Sequence, residues 1–102
     1  IYVNEILFFS GIRPSKKIKK ITNLEIQKII KFSKKIISKA IVLGGSSIKD
    51  FSSSSGKKGS FQQHFSVYGK KGENCLKVMC SGKIRKIVIA NRASFFCNKC
   101  QK

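Results

Sequence analysis

Cys75-Leu-Lys-Val-Met-Cys80 and Cys97-Asn-Lys-Cys100 enclose the stretch SGKIRKIVIANRASFF, residues 81–96, and the fold of the whole chain turns on how these four cysteines are read. The intervening segment is long enough for a two-stranded hairpin and its turn, which would bring the two pairs together. Each pair supplies two sulfurs from one turn of backbone, and four such sulfurs suit one tetrahedral Zn²⁺. The second pair has the usual two-residue spacer, and the first has four, at the upper end of the usual range. Two disulfides are the alternative. The chain opens at Ile1 in what reads as the middle of a helix, with no charged segment leading into an apolar export signal. A reducing compartment is therefore expected, and with it one structural zinc on Cys75, Cys80, Cys97 and Cys100.

Working outward, the balance of 22 basic against 4 acidic residues gives a formal charge of +18 over 102 residues. Such an excess calls for a polyanion, either nucleic acid or an anionic membrane surface. Part of it fits the lysine and isoleucine usage of an A/T-rich genome. No run of eighteen apolar residues is present, so a spanning helix is excluded. The length allows one domain or a pair of small modules, and the opening residues read as cut from something longer.

Ile1–Ser10, IYVNEILFFS, predicts a helix with Val3, Ile6, Leu7 and Ser10 on one face, stopped by Gly11 and Pro14. Asn4 and Glu5 are polar residues inside it, read either as surface positions or, for Asn4 near the helix start, as a phosphate grip. RPSKKIKK, residues 13–20, is a basic connection that can lie on phosphates. Thr22-Asn-Leu-Glu25 has the form of a capping box and opens a long helix. Its apolar stripe of Ile26, Ile29, Ile30, Ile36, Ile37, Ala40 and Ile41 is expected to be core, and Gly44-Gly45 to end it. A short helix is expected over residues 46–50, then a serine- and glycine-rich loop, FSSSSGKKGS, over residues 51–60. This loop is either a plain surface connection or a reading loop whose hydroxyls and N–H groups bond a base. His64 lies eleven residues before Cys75, and four thiolates complete a zinc shell without it.

Four blocks coincide in order and spacing with one family. YVNEILFFSGIRP (residues 2–14), GGSSIKDF (44–51), GSFQQHFSVYGKKGENC (59–75) and NRASFFCNKCQK (91–102) together resemble the C-terminal half of bacterial formamidopyrimidine-DNA glycosylases. The resemblance implies a mostly α helix–two-turn–helix domain over residues 1–68, truncated at its N-terminus and carrying a lesion-recognition loop at 51–60. A small zinc-bound β-hairpin over 69–102 follows. It implies a monomeric, cytoplasmic base-excision-repair enzyme, a glycosylase and abasic-site lyase that removes oxidised purines from damaged double-stranded DNA, with no membrane partner. The base must leave the duplex for that chemistry. In the family the nucleophile is an N-terminal proline amine; the proline here, Pro14, is internal, so this chain is expected to bind and not to catalyse.

Carried over residue by residue, Asn4 matches an asparagine that grips a phosphate beside the lesion, and Glu5 an adjacent structural glutamate. Arg92 matches the finger arginine that clamps flanking phosphates and is assigned as proton donor for δ-elimination. An arginine holds its proton so firmly that electrostatic stabilisation of the departing phosphate is the easier role. Ser53, Ser54, Ser55, Gly56, Gly59 and Ser60 match the loop that closes over an everted base, with Lys57 and Lys58 as DNA contacts. Three features depart from the family's pattern: the widened first cysteine pair, Asn74 in place of proline, and Ser94 in place of threonine. Two alternatives stand beside this reading. One is an endonuclease VIII-like relative acting on oxidised pyrimidines, against which Phe61-Gln62 argues. The other is a non-enzymatic zinc module that binds nucleic acid.

Overall fold

The computed structural model describes residues 1–45 and 61–102, so the short helix expected at 46–50 and the loop at 51–60 lie outside the described residues. Helix α1 spans Tyr2–Ser10 and ends at Gly11, whose φ of 74° lets its N–H turn back onto the carbonyls of Leu7 and Phe8. A single 3₁₀ turn at Ile18–Lys20 leads to α2, Asn23–Val42. The capping box forms as the sequence predicts: Thr22 Oγ1 accepts from the Glu25 N–H, and Glu25 accepts from the Thr22 N–H. The same carboxylate holds Lys16 Nζ at 2.7 Å. Gly44 and Gly45, both at positive φ, follow α2. A second 3₁₀ turn, Phe61–His64, leads towards an antiparallel hairpin of β1, Ile84–Ile89, and β2, Arg92–Cys97.

The expected fold class needs correction. The described residues are a mix of two α-helices and a two-stranded hairpin, and they do not form a mostly α helix–two-turn–helix domain. A turn at Pro14-Ser15, closed by the Lys16 N–H on Arg13 O at 3.0 Å, and one 3₁₀ turn separate α1 from α2. From residue 61 onward the chain forms no α-helix, because its glycines and cysteine pairs fold it around the sulfur cluster instead. None of the described helices is long and apolar enough to cross a membrane.

The core has two clusters joined through α1. Ile6, Ile36, Ala40, Phe61 and Phe65 form one; Phe8, Val67, Cys75, Ile84, Phe95 and Cys97 form the other, and Tyr68 packs on both. Because α1 is wedged between α2 and β2, it buries more than the single face its periodicity suggests. Val3, expected inside, is 65% exposed, whereas Asn4, Glu5 and Phe8 are buried. The α2 stripe is likewise only partly core. Ile36 and Ala40 are buried, but Ile26, Ile30, Ile37 and Ile41 are exposed. Length explains this: at about 1.5 Å per residue, α1 is less than half as long as α2 and cannot cover it.

Candidate functional site

The hairpin register pairs Ile84 with Cys97 and Ile89 with Arg92, so the second cysteine pair begins where β2 ends. The first pair is brought alongside by backbone bonds from Cys75 N–H to Gly82 O (2.9 Å) and from Ile84 N–H to Glu73 O (2.9 Å). All four Sγ atoms then lie within 4.8 Å of one another. Cys75 and Cys100 approach to 3.8 Å and Cys80 and Cys97 to 3.6 Å, and all four cysteines are free, which removes the two-disulfide alternative. A tetrahedron with Zn–S bonds of about 2.3 Å has sulfurs about 3.8 Å apart, so the cluster matches a closed zinc shell. The first pair's four-residue spacer is accommodated by Met79 at φ 65°, and Leu76, Val78 and Met79 project into solvent.

The thiols differ in acidity. Burial pushes Cys97 upward, but N–H donors from Cys100 and Lys99 outweigh it and bring the thiol down to about 7. Burial raises Cys100, and so does its bonding to the Cys97 sulfur. Burial also raises Cys75. Metal uptake must displace protons from these groups, so affinity falls in acid. Zinc here supplies rigidity alone, since four thiolates leave no position for water or substrate. His64 takes no part and stacks instead on Phe61.

At the far end of the hairpin, Ala90 and Asn91 both have positive φ, the signature of a type I′ two-residue turn. Arg92 is therefore the first residue of β2 rather than part of the turn itself. Its side chain is exposed and makes no hydrogen bond or ion pair among the described residues. Asn4 is buried one element away, and its Oδ1 accepts the Phe95 N–H at 2.8 Å. That bond sets the amide's orientation and leaves Nδ2 as its donor end. Asn4 and Arg92 line one cleft with Val3, Leu7, Pro14 and Ser94. The structure thus brings into one cleft two residues that the sequence reading offers as DNA contacts and that lie far apart in sequence. Lys57, Lys58, Ser53, Ser54, Ser55, Gly56, Gly59 and Ser60 lie outside the described residues.

Several residues support the site; of these the sequence reading singles out Glu5 as structural, but not its partners. Glu5, fully buried, accepts N–H bonds from Ser66, Val67 and Tyr68 at 2.6, 3.0 and 3.0 Å and so clamps the chain entering the finger. Arg13, read as part of a phosphate-contacting loop, instead donates to the carbonyl oxygens of Asn98 and Gln101 and lies over the Phe96 ring. Gln101 accepts from Cys97 N–H and donates to Ile12 O. Lys77 donates to Phe8 O at 2.7 Å, at the C-terminal end of α1. At Gly82 a Cβ would stand 2.5 Å from the Cys97 sulfur, so glycine is required there.

Residues 72–102 match the family described as a zinc finger found in FPG and IleRS. Over its full length the chain is 40% identical to a formamidopyrimidine-DNA glycosylase of Ruegeria sp. (strain TM1040), covering 36% of that protein. It is 44% identical to one from Haemophilus influenzae (strain ATCC 51907 / DSM 11121 / KW20 / Rd), covering 37%. Among solved structures it resembles a Lactococcus lactis FPG mutant in complex with Fapy-dG containing DNA, at a TM-score of 0.88 and 39% identity. All of this chain and 36% of that one are covered. A Lactococcus lactis Fpg complex with abasic site containing DNA gives a TM-score of 0.86 at 38% identity, again with all of this chain and 36% of the other covered. The chain spans little more than a third of the length of these relatives.

Proposed function

We propose that this chain, which belongs to the formamidopyrimidine-DNA glycosylase family, is the part of such a protein that holds damaged double-stranded DNA. The observation that carries the reading is the cleft shared by Asn4 and Arg92, an amide donor and an unpaired guanidinium on a hairpin that the cysteine cluster braces. A planar guanidinium reaches two phosphate oxygens at once, and a stiff support limits the entropy lost on docking. Both contacts position DNA and carry no sequence code. In the whole protein the work is excision of oxidised purines followed by strand cleavage, carried out on DNA in the bacterial cytoplasm. Arg92 there stabilises the phosphate that departs in δ-elimination, the 51–60 loop closes over the everted base, and Lys57 and Lys58 meet the backbone.

Binding of a duplex containing an abasic-site analogue tests this directly. The zinc-loaded chain should prefer it to the undamaged duplex, with affinity falling steeply as salt rises. Equal affinity for both duplexes would reduce the chain to a general polyanion binder. Made as this 102-residue polypeptide, it should trap no covalent adduct with borohydride, because the nitrogen of Pro14 is an amide.

A further inference from the structure

On the side of α1 away from the hairpin, a cavity of about 250 Å³ lies between α1, α2 and the 3₁₀ turn at Phe61–His64, and among the described residues it shares none with the Asn4–Arg92 cleft. Phe61 and Ile36 are its buried floor. One wall is Phe9, 38% exposed and stacked on Phe32 with ring centroids 5.9 Å apart. The opposite wall is His64, exposed and stacked on Phe61 at 6.4 Å. Lys35 and Lys39, one helical turn apart and both exposed, stand at the rim. Among the described residues, no carboxylate lines it.

We propose that this cavity is a second ligand site that takes one unpaired nucleotide, its base against Phe9 and His64 and its phosphate on Lys35 and Lys39. The volume is below the roughly 300–1,000 Å³ of drug-sized pockets, which suits a single ring system. Aromatic surface beside ammonium groups is how proteins hold single nucleotides without reading their sequence. An acidic peptide would satisfy the lysines but would use the aromatic walls less fully than a flat base does. The nucleotide can arrive free in solution or as an unpaired residue at a DNA end.

His64 is the chain's one histidine, so its ring C–H resonances report on the cavity without ambiguity. Adenosine 5′-monophosphate should shift them saturably in the zinc-loaded chain. Adenosine and ribose 5-phosphate should each bind about tenfold more weakly, as should the monophosphate to Phe9→Ala and to the double variant Lys35→Gln/Lys39→Gln. The double variant changes exposed residues only and guards against a misfolded Phe9→Ala. Arg92→Ala should leave the shift unchanged, so the result stands apart from the fate of the DNA cleft. A duplex with a one-nucleotide overhang that shifts His64, where its blunt counterpart does not, would identify a DNA end as the source; a shift from the free nucleotide alone would identify the free form. The proposal is overturned if the monophosphate leaves His64 unmoved, or if ribose 5-phosphate binds equally well. Displacement of the monophosphate by an Asp-Phe-Asp peptide at lower concentration would overturn it too, and assign the cavity to acidic proteins.

Discussion

Arg92 and Glu5 show how differently single charged residues act in this chain. Arg92 is a solvent-facing guanidinium, so its replacement should leave stability nearly unchanged and act on binding. On the function proposed above, Arg92→Ala should remove one phosphate contact: affinity for an abasic-analogue duplex should fall, and the slope of log affinity against log salt should shrink by about one. Arg92→Lys keeps the charge but not the fork, so the slope should hold while affinity still drops. Anisotropy titrations at several salt concentrations separate the two cases, and wild-type behaviour in both variants would make Arg92 an ordinary surface charge. Glu5 is the reverse. Glu5→Ala orphans three N–H groups, two of them on the buried residues Ser66 and Val67. At about 1–3 kcal/mol for each buried donor left unmet, urea unfolding should report a loss of several kcal/mol. Cysteine chemistry was legible in the sequence because ligand type and spacing are local. The depth of Glu5 was not, since its partners lie 61 to 63 residues away and a carboxylate within a helix ordinarily faces water.

Among the elements, the hairpin was legible and the helix faces were not. A stretch of sixteen residues between two metal-ligating cysteine pairs favours a hairpin whatever surrounds it, whereas the burial of a helix depends on its neighbours. The α2 stripe was read as core, yet only Ile36 and Ala40 are buried, because α1 is too short to cover the rest. The finger's backbone carries two opposite glycine effects. Ala90 sits at φ 49°, where a Cβ costs roughly 1–2 kcal/mol. Ala90→Gly relieves that strain at an entropic cost of about 0.5–1 kcal/mol, so a small net gain in urea stability is expected, with zinc content unchanged. Loss of stability in this variant would mean that the turn does not hold Ala90 at positive φ in solution. Gly82→Ala should do the opposite. Its methyl would meet the Cys97 sulfur and crowd Asn98 and Lys99, so the knuckle must shift and competition with a chelator should reveal weakened zinc binding. An unaltered zinc affinity would show that the knuckle yields more easily than its packing implies.

Across the whole molecule, the metal site and the helices share one core. Phe8 of α1 packs in the same cluster as Cys75, Cys97, Ile84 and Phe95; Asn4, Arg13 and Lys77 add polar bonds between the helical part and the finger, and Glu5 holds the chain that leads into it. Ile36 and Ala40 belong to the other cluster, on the far side of α1. The division expected at residues 68 and 69 thus passes through densely bonded chain, and zinc removal tests how far the two parts depend on each other. Metal analysis should give one zinc per chain, and a chelator should unfold the finger, because a site of four thiolates cannot stay compact without its cation. Hydrogen exchange then reads the spread residue by residue. Loss of protection should run from Phe95 and Cys97 into Val67 and Tyr68, whose N–H groups rest on Glu5, while the amides of Ile36 and Ala40 stay protected. If Val67 and Tyr68 keep full protection after the finger melts, the two parts are independent modules. If Ile36 and Ala40 lose theirs as well, the chain is one cooperative unit and the metal holds all of it. The intermediate pattern is the one expected, because α1 touches both clusters but is anchored to α2 by contacts that zinc does not reach.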